Sequence, residues 1–469
     1  MRTQEEGDTL DTVAPKGIIH TFTVNGTTLL ADTATGSLLV LDSETAKITK
    51  LLEDGKSLES IPDSSAKSEL QQLIKDGTIL SPVEFPPPQT LSPKSVCLIV
   101  SHACNMACTY CSLAGVTGED KLMRPETAVR AIDWITRVAP GRKIDVDFFG
   151  GEPLLAWDTV KAAVEAGERL SKERDKLIRW SLSTNCIALD QEKIDYCREH
   201  FISLILSLDG NEVTHDLYRK TKNGGGSFEL ASRNALEVTK NWDGGFYVRG
   251  TYSKKSINFS DSVKALHKMG FSSIAFEPVV SSDPEIGFIT DDLPTIRVEY
   301  EKLAKYYVEC KKSGNPFRFY HFELDLDEGP CAYKVAGGCG AGCEYVSISP
   351  DGTLWPCHQL DGNPRFGMGE LRDTIPESGS EKQGDETLEL DTGKLDVAGL
   401  QENYDKYTQI NHISNKPDCI SCWASTLCAG GCIASNQIIE GSFSKIYKIG
   451  CEIQKIRLEV ALWVQAQLS

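Results

Sequence analysis

The chain has 469 residues, 40% of them hydrophobic and 25% charged, and Lys+Arg 49 against Asp+Glu 67 leaves a net charge of −18. So acidic a balance disfavours non-specific binding to nucleic acid or to anionic membranes. No apolar run reaches the roughly 18 residues of a membrane span, and the opening MRTQEEGDTL lacks the basic and apolar regions of a signal peptide, so a cytoplasmic protein with no nucleic-acid or membrane partner is expected. In such a chain 16 cysteines point to thiolate metal ligands and away from a disulfide framework.

Residues 1–16 are polar, acidic and turn-rich and read as a disordered tail. From residue 17 the pattern changes: short strands at 18–24, 28–32 and 38–41 are separated by Asn25-Gly26 and Thr35-Gly36 turns, and helices follow at 43–52 and 68–76. The sum, 17–82, is a small winged-helix-like module, closed by a stiff proline-rich linker at 83–94. From 95 to about 290 strands and helices alternate: CLIVSH, a helix at 125–138, KIDVDFFG, a helix at 156–173, IRWSLSTN, a helix at 191–200, SLILSLDG, FYVRGTY and SIAFEPV. Parallel strands need helical crossovers, so this α/β run predicts a partial (β/α)6 barrel with functional residues at the C-terminal strand ends. A bridging helical region (291–325) leads to a Cys-rich region (326–452), which carries a polar insertion at 370–400, and an amphipathic helix (453–469) closes the chain with Ile453, Ile456, Leu458, Val460, Leu462 and Trp463 toward the core.

After the first barrel strand, 101–118 (SHACNMACTYCSLAGVTG) holds Cys104, Cys108 and Cys111, spaced C-x3-C-x2-C. Three thiolates fall one short of a tetrahedral structural zinc site, but a cubane of four irons held by three cysteines leaves one iron open. The next strand runs into Gly150, Gly151, Glu152 and Pro153, where two glycines allow close backbone approach. Together these motifs resemble the radical S-adenosylmethionine (SAM) superfamily. The resemblance implies that SAM chelates the open iron, with Tyr110 against the adenine and the GGEP turn at the amino group. It also implies Ser183 and Arg249 near the carboxylate and Asn185 and Ser207 near the ribose. Asp209 ends the SLILSLDG strand, and His215, Asp216 and Arg219 follow it and read as fixing that loop.

The cysteines return as Cys331, Cys339, Cys343 and Cys357 around an SISPDGTLWP hairpin, then as Cys419, Cys422, Cys428 and Cys432, spaced C-x2-C-x5-C-x3-C, and finally as Cys451. This resembles the SPASM extension, which carries two further 4Fe-4S clusters and so brings the total to three. By that resemblance Cys419, Cys422, Cys428 and Cys451 hold a distal cluster, and Cys432 joins Cys339 and Cys357 at a proximal one. Cys343 or Cys331 completes the proximal set, or its fourth iron stays open for a substrate thiol. GCGAGCEYVSISPDGTLWPCHQL, CWASTLCAGGCIASN and YKIGCEIQK look like the maturases of six-cysteines-in-forty-five (SCIFF) peptides, ranthipeptide-type thioether-forming enzymes that also begin with an IHTF-like strand. The likeness implies a Cys-rich precursor peptide whose leader adds a strand to the N-terminal sheet, and an electron donor such as flavodoxin or ferredoxin. Sulfatase-maturing relatives place a carboxylate after the hairpin cysteine, whereas this chain has His358, a candidate catalytic proton acceptor or a structural hydrogen-bonding residue.

Overall fold

The computed structural model describes residues 18–89, 92–111, 113, 121–240, 242, 245–326, 332–371 and 397–469. The expected tail at 1–16, most of the insertion at 370–400, and Cys331 lie outside the described residues.

Strands β1 (Ile19–Val24), β2 (Thr27–Asp32) and β3 (Ser37–Val40) form an antiparallel sheet in that order. Asn25 and Gly26 both take positive φ, 51° and 84°, which matches the right-handed twist of a tight hairpin. Helices Ser43–Glu53 and Ser65–Lys75 follow. The second starts three residues before the expected position because the Ser64 side chain accepts the Lys67 N–H as a cap. Strand alternation gives this sheet two apolar faces. Ile19 and Leu30 pack with Ile48, Leu70 and Ile79 of the helical layer, whereas Phe22, Val24, Leu29 and Ala31 belong to the main core. The sheet is therefore a wall shared by two cores.

Its two edges differ. On β1 the Thr21 N–H donates to Glu53 Oε1 at 2.6 Å, which caps that edge with a side chain. On β3 the Leu41 N–H bonds Thr28 O at 2.9 Å, so residues 37, 39 and 41 face β2, and the amides of Leu38 and Val40 point to the open side. Val40 is 65% exposed.

The central sheet has ten strands. β4 (Ser95–Ser101), β5 (Lys143–Gly150), β6 (Leu177–Thr184), β7 (Ile202–Ser207), β8 (Phe246–Tyr252) and β9 (Ser273–Pro278) lie side by side in chain order and parallel. β10 (Arg318–Phe319) adds to β9 in parallel. At the other edge β11 (Tyr345–Ile348) pairs in parallel with β4, and β12 (Thr353–Trp355) and β13 (Gly369–Glu370) follow antiparallel. The expected hairpin is thus present as β11 and β12, turned by Asp351 and Gly352 (φ 91°), but it continues the barrel sheet instead of standing apart.

One face of this sheet is the apolar core. Val96, Leu98, Val146, Phe148, Leu182, Leu204, Leu206 and Val248 are all buried against the crossover helices, which include Pro125–Val138 and Trp157–Glu173. The other face departs from the two-sided burial expected of parallel strands. Strand register sets Cys97, Asp147 and Ser181 in one row and Ser207 and Arg249 in another, with Ser183 and Glu277 on the same side. Arg249 sits in mid-strand on β8, which runs on to Tyr252, and so stands short of the C-terminal strand end where functional residues were expected.

Helix Leu293–Lys312, begun by Pro294, packs against the closing helix Lys448–Leu468. The six apolar residues expected to face inward from the closing helix are all buried.

Candidate functional site

The loop leaving β4 is fixed from several sides. Ser101 Oγ donates to Ala103 O at 2.8 Å, the Gly151 N–H to Ser101 O at 2.7 Å, and the Glu152 N–H to Ala103 O at 2.9 Å. A Cβ at Gly150 (φ 136°) would stand 2.2 Å from Ser101 O, and one at Gly151 would stand 2.3 Å from Ala103 O. The room those glycines leave is therefore filled by the backbone that carries the cysteines. Pro153 then opens a short 3-10 turn, Pro153–Ala156.

Glu152, fully buried, binds this platform to the next strand. Its carboxylate accepts from the Leu154 N–H at 3.1 Å, Thr184 Oγ1 at 2.8 Å and the Asn185 N–H at 2.8 Å. Burial pushes its carboxyl up to about 7, against those three donors. Asn185 in turn donates from Nδ2 to Asn105 Oδ1 at 2.7 Å and toward Cys104 Sγ at 3.8 Å, and Cys104 Sγ also receives the Met106 N–H at 3.4 Å. Amides aimed at sulfur favour a thiolate, as a metal ligand requires. Burial pushes the Cys108 thiol up to about 11, and Cys104 and Cys111 each add to that rise, so the three thiols share one field.

Tyr110 is enclosed. Its hydroxyl donates to Asp209, its ring tilts against Tyr218 at 5.4 Å, and the Arg219 guanidinium lies 5.6 Å above it. Asp209 also pairs with Arg219 Nε at 3.0 Å and accepts the Thr251 N–H at 2.9 Å. His215 Nε2 meets Ser227 Oγ at 3.0 Å, and Asp216 accepts the Ser227 and Phe228 N–H groups at 2.8 and 2.9 Å, capping the next helix. These residues tie the loop after β7 to the cysteine loop.

The polar, partly buried face of the sheet is the candidate lumen of the barrel. Ser181 Oγ donates to Asp147 Oδ1 at 2.9 Å and Cys97 Sγ to Oδ2 at 3.8 Å. Burial pushes the Asp147 carboxyl up to about 7, and the Arg249 charge opposes that rise. Tyr345 OH meets His358 Nδ1 at 2.7 Å, and the His358 ring lies 4.6 Å from Phe149 and 4.0 Å from Cys357 Sγ. Burial, with Arg249 adding to it, pushes His358 down to about 4, so the imidazole is neutral near pH 7. Across the lumen Glu277 pairs with His321 at 3.1 Å and with Arg457 at 3.1 Å; despite burial, which raises it, these partners hold its carboxyl well below the usual range. Ser183 and Ser207 are half-buried along the same face.

The later cysteines divide into two sets by the charges they feel. Cys357 and Cys339 each sense Cys432, and Cys343 senses Cys339. Cys419 and Cys451 sense Cys422 and Cys428. Cys343 Sγ itself is turned onto Gly340 O at 3.2 Å. Between Cys428 and Cys432 the chain runs left-handed through Ala429 (φ 55°), Gly430 (81°) and Gly431 (74°), which aims the Gly430 and Gly431 amides at Cys428 sulfur. Consecutive amides in such a nest suit an iron–sulfur ligand. Among the described residues no three His, Cys, Asp or Glu side chains lie close enough to share a single ion. The donors of the first loop and of the two later sets are thiols, the ligand type that a 4Fe-4S cluster takes, one per iron.

Sequence reasoning missed Asp147, Cys97, Tyr345, Glu277 and Thr184. The alternation of Asp145 and Asp147 with Val146 and Phe148 in KIDVDFFG carried the signal for the lumen.

A profile described as the Radical SAM superfamily matches residues 98–248. A serine-type anaerobic sulfatase-maturating enzyme of Klebsiella pneumoniae is 31% identical over 360 residues, 71% of this chain and 80% of that protein. The radical SAM cyclopropyl synthase TigE of Paramaledivibacter caminithermalis is 23% identical over 382 residues, covering 77% and 72%. In fold the chain resembles native anSMEcpe with bound AdoMet and Cp18Cys peptide, with a TM-score of 0.63, 20% identity, and 80% and 98% of the two chains covered. It also resembles Streptococcus suis SuiB bound to the precursor peptide SuiA, with a TM-score of 0.52, 17% identity, and 92% and 98% covered.

Proposed function

The chain belongs to the radical SAM superfamily, and from that premise we propose that it is a peptide maturase which joins cysteine sulfur to carbon in a ribosomally made, Cys-rich precursor peptide. When bound, SAM and the cluster on Cys104, Cys108 and Cys111 supply a 5′-deoxyadenosyl radical, which removes hydrogen from an unactivated C–H bond. Around them, Glu152 and Asn185 hold the cysteine loop to the strand ends, and Asp209 fixes Tyr110 and Arg219 at its flank. The polar lumen receives the substrate segment.

The observation that carries the reading is the separation of the later thiols into two sets, with Cys357 and its neighbour His358 at the lumen wall. Joining a peptide C–H carbon to a thiol removes two electrons and two protons overall, and hydrogen abstraction by the adenosyl radical accounts for one of each. The second electron needs an acceptor, which auxiliary clusters would supply: Cys419, Cys422, Cys428 and Cys451 would hold a distal one, and Cys339, Cys357 and Cys432 a proximal one. The thiol proton needs an acceptor, and His358, held by Tyr345, is the candidate at the lumen wall; with its pKa pushed down to about 4 it accepts that proton only from a thiol already acidified by an adjoining cluster. The leader adds a strand at the open edge of β3, since main-chain bonds there are unclaimed by β2 and β1 is capped by Glu53.

Maturation of a sulfatase is the second reading, favoured by the 31% identical relative, and Asp147 offers it a carboxyl in the lumen. Co-expression with a Cys-rich precursor and mass spectrometry separates the two. A thioether removes two hydrogens per link and blocks thiol alkylation; alkylatable thiols at full count and an unchanged peptide mass refute the proposal.

A further inference from the structure

Lys416 is 1% exposed, one of the largest fully buried side chains of the protein. A buried ammonium is strongly disfavoured unless a negative partner offsets it. Among the described residues no carboxylate pairs with it, and its nearest oxygens are the carbonyls of Ala429 and Gly430, each 3.5 Å from Nζ, beyond a good hydrogen bond. Burial pulls its pKa down, and the groups that oppose that fall are sulfurs: Cys419 and Cys428 of one set, Cys339 and Cys432 of the other. The position is built. Lys416 joins the turn Ile413–Asn415 to the helix Pro417–Ile420, and its N–H is bonded to Ile413 O at 2.9 Å. Its chain lies in the space left by Gly430, where a Cβ would stand 2.5 Å from Cδ and 2.8 Å from Nζ.

We infer that Lys416 is a fixed cation shared by both auxiliary clusters, compensating their negative charge and raising both reduction potentials. Neutral thiols would leave this ammonium without a counter-charge, whereas thiolate-ligated clusters are net negative and become more so on reduction. A cation held between them stabilises the reduced forms, poising both toward accepting electrons. Lys416 is a positioning charge and touches no substrate. The inference rests on the auxiliary-cluster reading proposed above.

The test uses the full chain with the first triad replaced (Cys104→Ala, Cys108→Ala, Cys111→Ala), so that only auxiliary signals remain, reconstituted anaerobically. Iron and sulfide are counted, and the reduction of each cluster is followed by electron paramagnetic resonance in a potentiometric titration, for Lys416, K416M and K416R. The expected result is a fall of at least tenfold in the reduction equilibrium constant of both clusters in K416M, about 59 mV for a one-electron couple, largely restored in K416R. If K416M instead loses iron, K416R should keep it, because charge and not shape is what matters. Unshifted potentials in a fully loaded K416M overturn the inference, as does equal iron loss in K416M and K416R. Absence of auxiliary iron with Lys416 in place overturns the auxiliary-cluster reading itself.

Discussion

Replacing Gly151 by alanine tests the packing of the cysteine loop. The new Cβ would stand 2.3 Å from Ala103 O, 2.7 Å from Ala103 C and 3.0 Å from His102 O, all backbone atoms. Reaching even a 3.0 Å contact requires the Ala103 carbonyl to retreat by about 0.7 Å, and that carbonyl also accepts the Glu152 N–H. Because Cys104 is the next residue, the displacement passes directly to the first thiolate. A misplacement near 1 Å in a reacting geometry costs roughly 10²-fold, so G151A should release 5′-deoxyadenosine roughly 10- to 100-fold more slowly, or about 1.4–2.7 kcal/mol of barrier. G150A should lose more, since φ 136° adds backbone strain of roughly 1–3 kcal/mol. Gly141 is the control: a Cβ there meets nothing within 4 Å, so G141A should behave as the parent. Anaerobic assays of deoxyadenosine release by chromatography, with iron counted in parallel, read the outcome. G151A with parental iron content and parental release would refute the idea that backbone contact between the glycine turn and the loop sets cluster geometry.

Three further outcomes are expected. Asp147 is pushed from 3.8 up to about 7 by burial, so between those values the folded chain holds a proton that the unfolded chain gives up. Its contribution to stability is fully present below about pH 4 and is lost as pH rises to 7, by up to about 1.4 kcal/mol per unit; denaturant midpoints should fall less steeply over that window in D147N, and parallel slopes would count against a buried neutral carboxyl. Because His358 is neutral near pH 7, H358F should retain deoxyadenosine release while crosslinked product drops roughly 10²-fold, and product at the parental rate would leave His358 a structural residue. Val40→Pro removes an amide that faces the open edge of β3 without touching the β2 ladder, so labelled precursor should bind roughly tenfold more weakly by fluorescence anisotropy; unchanged binding would move the leader to another surface.

The cysteine spacings stand out because ligand chemistry is written in residue type and interval, and in the structure Cys432 lies near enough to Cys339 and Cys357 to raise the pKa of both thiols. The six consecutive parallel strands followed from alternating apolar runs and helices. What local pattern could not hold was a neighbour distant in sequence. β11 joins β4 across some 250 residues of chain, and no periodicity in either segment announces the pairing. Tyr110 was marked by its place within the cysteine motif and Asn185 by its strand end, but their hydrogen bonds to Asp209 and Asn105 come from other loops. Nothing in the local sequence marks Lys416, whose burial against Gly430 shows only in the structure.

The pairing of β11 with β4 has a mechanical consequence. Cys104 follows from the top of β4, while Cys357 follows β12, the returning arm of the hairpin. A continuous ladder of main-chain bonds therefore spans the two cysteine-bearing ends. The separation between those ends is a fixed calliper, and on the proposed reading a guest must meet that gauge by bending itself.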